Sequence, residues 1–241
     1  MNLKISGIRR LLAVFMSVAL LVTSFLLAGV SHAADTSVEP LTKEQYINFL
    51  ENYDSSTATK LGVQTLDAKS AVTDAQKALE QFKALTEEQQ EKFVATLSDP
   101  KFIFEALQDP DQKTPEGIET KTIIQPAAVQ QATLSYSQVA TLFGIELLEY
   151  KATGSFSNDK SKDKVVQAIS YNAYVAKNIN PLCQTTLLYG NKSIINNRFK
   201  GEAVFSYGVG PIKGYEWQTG SFRFDTTGYP DGTYYTLGYM E

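Results

Sequence analysis

Two hydrophobic periods divide the chain. Between residues 42 and 107 the apolar side chains recur at helical spacing. Tyr46, Ile47, Phe49, Leu50 and Tyr53 fall on one helix face, and Thr42-Lys43-Glu44-Gln45 forms a reciprocal capping box ahead of them. Asp54-Ser55-Ser56-Thr57 closes this first helix. A second, from about 67 to 85, presents Ala71, Val72, Ala75, Leu79 and Phe82, and its alanines allow a neighbour to approach closely. Thr86-Glu87-Glu88-Gln89 is another capping box and opens a third helix bearing Phe93, Val94 and Leu97. Asp99-Pro100 reads as an N-cap followed by proline at the first helical position. The short fourth helix carries Phe102, Ile103, Ala106 and Leu107. These helices predict a small bundle over residues 41–108.

Residues 109–117 are polar and broken by Pro110 and Pro115, so neither a helix nor a central strand fits them. With the mixed stretch 118–132, they are expected to form a linker spanning 109–132. From Leu134 the period shifts toward two. Strands are predicted over 139–152, 164–177, 183–189, 201–208, 213–218, 220–225 and 233–240. Turn chemistry separates them at Asn158-Asp159-Lys160, Tyr189-Gly190-Asn191, Gly208-Val209-Gly210-Pro211 and Asp231-Gly232. Gly154, Gly201 and Gly220 are expected at bulges or turns. Strands so spaced, with no helix between them, predict an antiparallel β-sandwich over 133–241. The expected fold class is α+β with segregated elements, an N-terminal helical bundle followed by an antiparallel β-sandwich.

The segment from Phe222 to Leu237 contains Phe224-Asp225-Thr226-Thr227 and then Pro230-Asp231-Gly232-Thr233-Tyr234. It resembles the strand–turn–strand end of bacterial immunoglobulin-like modules. The resemblance implies a sandwich and carries no activity, since that architecture hosts many functions.

Ahead of the helices, residues 1–33 have the organisation of a secretory signal. Lys4, Arg9 and Arg10 precede an apolar run from Leu11 to Ala28, and Ser31-His32-Ala33 supplies a small-x-small cleavage site. Cleavage is expected between Ala33 and Ala34, giving a secreted, extracellular protein with no membrane segment after processing. His32, the single histidine, is then lost, which removes the histidine-dependent serine, cysteine and zinc chemistries. Cys183 has no partner for a disulfide and lies among apolar residues, as a buried thiol would. The net charge is −4, and loss of the leader's three basic residues leaves −7. Residues 34–120 carry 17 acids against 8 lysines, whereas residues 121–241 carry 9 acids against 11 basic residues. The acidic first half argues against nucleic acid as a partner, and none is expected.

Candidate chemistry is sparse. Glu146, Glu149, Glu202, Glu216, Asp225 and Asp231 could in principle supply a carboxylate pair for glycoside hydrolysis. They are scattered along the chain, so no catalytic residue is assigned and the protein is not expected to be an enzyme. Asn158, Asp159 and Asp163 could offer oxygen ligands to calcium, but lysines crowd them, and no metal or cofactor is expected. The remaining signal is aromatic: 11 of the 13 tyrosines, with Trp217, follow residue 133. Tyr215, Trp217 and Tyr229 are the candidate ligand-binding residues, since a tyrosine offers an apolar ring and a polar tip. The sequence thus predicts an exported, non-catalytic protein whose sandwich binds an extracellular or cell-envelope protein or glycan. The alternatives are a secreted toxin or antimicrobial effector shielded by its acidic helical region, and a histidine-free carboxylate hydrolase.

Overall fold

The computed structural model describes residues 40–99, 101–107, 117–125, 131–210 and 218–240. The expected leader with its expected cleavage site, residues 108–116, and the strand expected over 213–218 (apart from Gln218) lie outside the described residues.

Five described helices open the fold: α1 (Lys43–Glu51), α2 (Ser55–Lys60), α3 (Ala68–Ala84), α4 (Glu87–Leu97) and α5 (Phe102–Ala106). Both capping boxes are formed. The Thr42 and Thr86 hydroxyls accept from the Gln45 and Gln89 backbone N–H groups, and each glutamine side chain accepts in return. Two expectations need correction. Asp54 does not only end the first helix. Its carboxylate accepts from the Thr57 N–H at 2.7 Å and caps α2, a helix too short to announce itself by periodicity. Helix α5 starts at Phe102, two residues later than an Asp99 cap requires, although the Asp99 carboxylate does accept from the Lys101 N–H at 2.9 Å. Ala71 and Ala75 of α3 are buried as predicted. Tyr46, Phe82 and Phe93 meet with ring centroids 5.1–5.2 Å apart and tie α1, α3 and α4 together.

Eight described strands follow: β1 (Ile118–Gln125), β2 (Gln131–Leu142), β3 (Ile145–Asp159), β4 (Lys164–Asn178), β5 (Cys183–Ile195), β6 (Arg198–Val209), β7 (Gln218–Gly228) and β8 (Tyr234–Met240). They form two four-stranded antiparallel meanders, β1-β2-β3-β4 and β5-β6-β7-β8. The strand–turn–strand segment over 222–237 is present as β7, the Asp231-Gly232 turn and β8. The strand order is that of successive hairpins, whereas immunoglobulin domains use Greek-key connections. Three strand assignments change. The expected strand 139–152 is a hairpin, broken at Phe143-Gly144, where both residues take positive φ. Tyr189-Gly190-Asn191 is not a turn; β5 runs through it, and the chain reverses at Asn196-Asn197, again with positive φ at both. Part of the expected linker, 118–125 and 131–132, is strand. Gly154 and Gly201 serve close packing rather than bulges: a Cβ on Gly154 would meet the Ser170 carbonyl and one on Gly201 the ring of Tyr171.

The sheets pack through aromatic residues. Tyr150 on the first sheet sits 4.6 Å from both Phe205 and Phe222 on the second, and Tyr136 meets Phe224 edge-on at 5.2 Å. The helices close one end of this sandwich. The Tyr46 hydroxyl donates to the Ile179 carbonyl, and that of Tyr53 donates to the Asn178 carbonyl. The Asn178 amide donates in turn to Leu61 and Cys183 carbonyls, and the Gln64 N–H donates to Val175 on β4. Lys177, almost buried, pairs with Glu146 at 2.7 Å and with Asp74 of α3 at 3.4 Å. Its hydrogen bond holds the Glu146 carboxyl below the usual range against the opposing effect of burial.

One apolar core therefore runs from Tyr46 in the helices to Phe224 in the second sheet, and Pro40–Glu241 is one compact unit. The helices bury their apolar faces on groups the sandwich supplies, so neither part is expected to survive alone. Far-ultraviolet and tyrosine near-ultraviolet signals should lose amplitude at the same urea concentration. Two separated transitions would show that the helices fold independently.

Cys183 is fully buried, and burial pushes its thiol up to about 12. Burial also raises the hydroxyls of Tyr46, Tyr53, Tyr150 and Tyr171. The native protein should leave a thiol reagent unreacted until it is unfolded. Above about pH 9 the unfolded chain sheds protons that the folded chain keeps, so stability present below that pH falls as alkali is added. Urea midpoints measured from pH 7 to pH 11 should decline. A constant midpoint would contradict the burial of these groups.

Candidate binding site on the second sheet

Strand alternation gives the second sheet one face toward the core and one toward solvent. Ala203, Phe205, Phe222 and Phe224 take the inner face and are buried; Glu202, Val204, Arg223 and Asp225 alternate with them on the outer face. Cross-strand register then sets the outer residues in rows. Tyr189, Val204, Arg223 and Tyr239 form one row from β5 to β8. Asn191, Glu202, Asp225 and Leu237 form the next, followed by Ser193, Lys200, Thr227 and Tyr235. Tyr189 and Tyr235 are 45% and 56% exposed.

A polar network occupies the middle of this face. Arg223 Nε donates to Asp225 Oδ1 at 3.0 Å, and its Nη2 lies 3.7 Å from Glu202 Oε2. The Tyr239 hydroxyl donates to the other Asp225 oxygen at 2.7 Å. Glu202 and Asp225 were expected as isolated acids. They are direct neighbours across β6 and β7, and Arg223 touches both. Both carboxylates remain about two-fifths exposed and already hold a cation.

The outer face runs between two hollows. At the helix-covered end, a depression of about 370 Å³ is lined by Lys60, Gln184, Thr186, Ser206, Thr219 and Ser221, among others, a set rich in hydroxyls. At the other end, Tyr229 lines a cleft of about 250 Å³ with Asp163, Asn196, Asn197, Arg198 and Asp231. The Arg198 guanidinium lies 4.6 Å from the Tyr229 ring centroid. Asp231 accepts from the Thr233 N–H and hydroxyl, and these bonds hold its carboxyl below the ordinary range.

Of the sequence candidates, Tyr229 stands at this cleft; Tyr215 and Trp217 lie outside the described residues, as does Glu216. Two of the three groups weighed for calcium already hold protein partners. Asn158 donates to the Pro230 carbonyl, and Asp159 accepts from Ser161 and pairs with Lys162. Tyr189, Tyr235, Tyr239 and Arg223 were not singled out by sequence. Tyr189 was hidden by its turn-like neighbours, and the others became candidates only through register. Among the described residues no helix is long and apolar enough to cross a membrane. The chain matches no protein-family model, no curated protein and no solved structure.

Proposed function

We propose that this is an exported, non-catalytic binding protein whose second sheet takes an extended glycan of the cell envelope or extracellular matrix on its outer face. The observation that carries this reading is the set of rows that place Tyr189, Tyr239, Leu237 and Tyr235 around the Arg223–Asp225–Glu202 network. Flat rings with apolar faces suit the C–H faces of sugar rings. Planar guanidinium and carboxylate groups suit their hydroxyls, and the hydroxyl-rich hollow extends the same chemistry along the sheet. Catalysis finds less support. Acid catalysis wants a carboxyl group held neutral and shielded from water, whereas Glu202 and Asp225 stand open and paired with Arg223. The shielded-effector reading also lacks support, because the helices close the end of the sandwich and leave these tyrosines uncovered.

The test is a binding panel of soluble polysaccharides and peptidoglycan fragments, with release of reducing ends followed in parallel. At least one glycan should bind. Tyr189→Ala and Tyr235→Ala should each weaken it about tenfold, equivalent to about 1.4 kcal/mol, with no reducing ends released. Absence of binding across the panel, or binding indifferent to both substitutions, would refute the glycan reading. Turnover abolished by Glu202→Gln would replace it with the hydrolase.

A further inference from the structure

β5 forms one edge of the second sheet: among the described residues β6 pairs with one side and no strand pairs with the other. It is 13 residues long, nearly twice the length of β8 at the opposite edge. Edge strands in stable monomers are usually short, charged or interrupted by proline, because open N–H and C=O groups recruit another strand. The defences of β5 are Lys192, whose N–H is held by the Asn191 side-chain oxygen at 2.8 Å and must be released for pairing, and a bulge at Leu188. Beside them it exposes Leu187, Leu188, Tyr189, Ile194 and Ile195, Leu188 to 62%.

We infer that this edge pairs with β5 of a second copy, antiparallel about a two-fold axis at Asn191. The positions along the strand are self-complementary about that residue. Tyr189 then faces Ser193 of the second copy, Gly190 faces Lys192, and the Leu187–Leu188 bulge faces Ile194. Lys192, the single charge on β5, meets a glycine rather than its own counterpart, so no like charges oppose each other. The acidic excess lies in residues 34–120, whereas β4 and β5, which meet at this corner, contain no Asp or Glu, so no carboxylate of either strand opposes the approach. A two-fold pairing closes on itself and gives a dimer rather than a fibre. It joins the two second sheets into one, with both copies of Tyr189 beside the axis, so the outer face becomes continuous across the pair. The pairing stands whether or not that face binds glycan.

The experiment uses the full secreted chain. Sedimentation should show a concentration-dependent monomer–dimer equilibrium, and Leu188→Lys or Ile194→Lys should leave a monomer with an unchanged circular dichroism spectrum. Asn191→Cys should form a covalent dimer under mild oxidation, because residues opposed in an antiparallel pair have Cα atoms about 4.5–5.5 Å apart, within disulfide reach. Thr186→Cys, away from the axis, should not, and buried Cys183 gives the wild type no background. A wild type that stays monomeric at its solubility limit would overturn the inference. So would larger open aggregates, or equal cross-linking of the two cysteine variants.

Discussion

Tyr150→Ala should cost about 3–5 kcal/mol of folding stability, the range for removing a large buried aromatic side chain. Tyr150 is fully buried on β3 and stacks on Phe222 with an interplanar angle of 20° while touching Phe205. Its hydroxyl lies 3.0 Å from the Thr185 hydroxyl, which donates to the Ser206 carbonyl. One side chain from the first sheet thus holds β5, β6 and β7. Truncation leaves a cavity between two sheets whose strands cannot close it without breaking register. Tyr150→Phe keeps the ring and loses only the hydroxyl contact, so about 1 kcal/mol is expected. Urea unfolding of the two variants tests this. Similar losses for both would mean that the hydrogen bond, and not the packing, holds the sheets.

Gly62→Ala should cost about 2–5 kcal/mol from two additive causes. Gly62 follows α2 with φ +98, a conformation that costs a side-chain-bearing residue about 1–2 kcal/mol. A Cβ there would also collide with the Thr185 carbonyl, a backbone atom that cannot swing away. Relieving that overlap costs about a further 1–3 kcal/mol. Thr185 is the residue that receives Tyr150, so shifting it disturbs the centre of the sandwich as well as the helix contact. Gly144→Ala is the control. It has φ +76 but no neighbouring atoms, and only the conformational cost should appear. If the two alanine variants prove equally stable, the close approach of the α2–α3 loop to β5 is wrong.

What could be read in advance depended on how far apart the deciding groups lie. A capping box is settled within four residues, and both were legible. The buried face of α3 follows from one turn repeated, and Ala71, Ala75, Leu79 and Phe82 are inside. β1 was missed because Ile118–Gln125 alternates weakly and carries Glu119 and Lys121; it becomes a strand by pairing with β2. Tyr189-Gly190-Asn191 has turn chemistry, yet its hydrogen-bonding partner is the extended segment Glu202–Val204. The ladder outweighed the local preference. The turn fell instead on Asn196-Asn197, where asparagine tolerates the left-handed region twice in succession.

The sequence by itself determined the order of helices before strands, the two capping boxes, the buried thiol and the aromatic character of the second half. Each follows from residue type and short-range spacing, which a chain carries into any fold. The tertiary structure alone decided that the helices and sheets share a core, and which acids and tyrosines meet. Glu202 and Asp225 are neighbours only because β6 and β7 pair in one register, and a shift of one residue would turn every outer side chain into the core. That register is held by Phe205, Phe222 and Phe224 packing on Tyr150 and Tyr136 of the other sheet. The candidate binding face therefore exists as a consequence of the core beneath it.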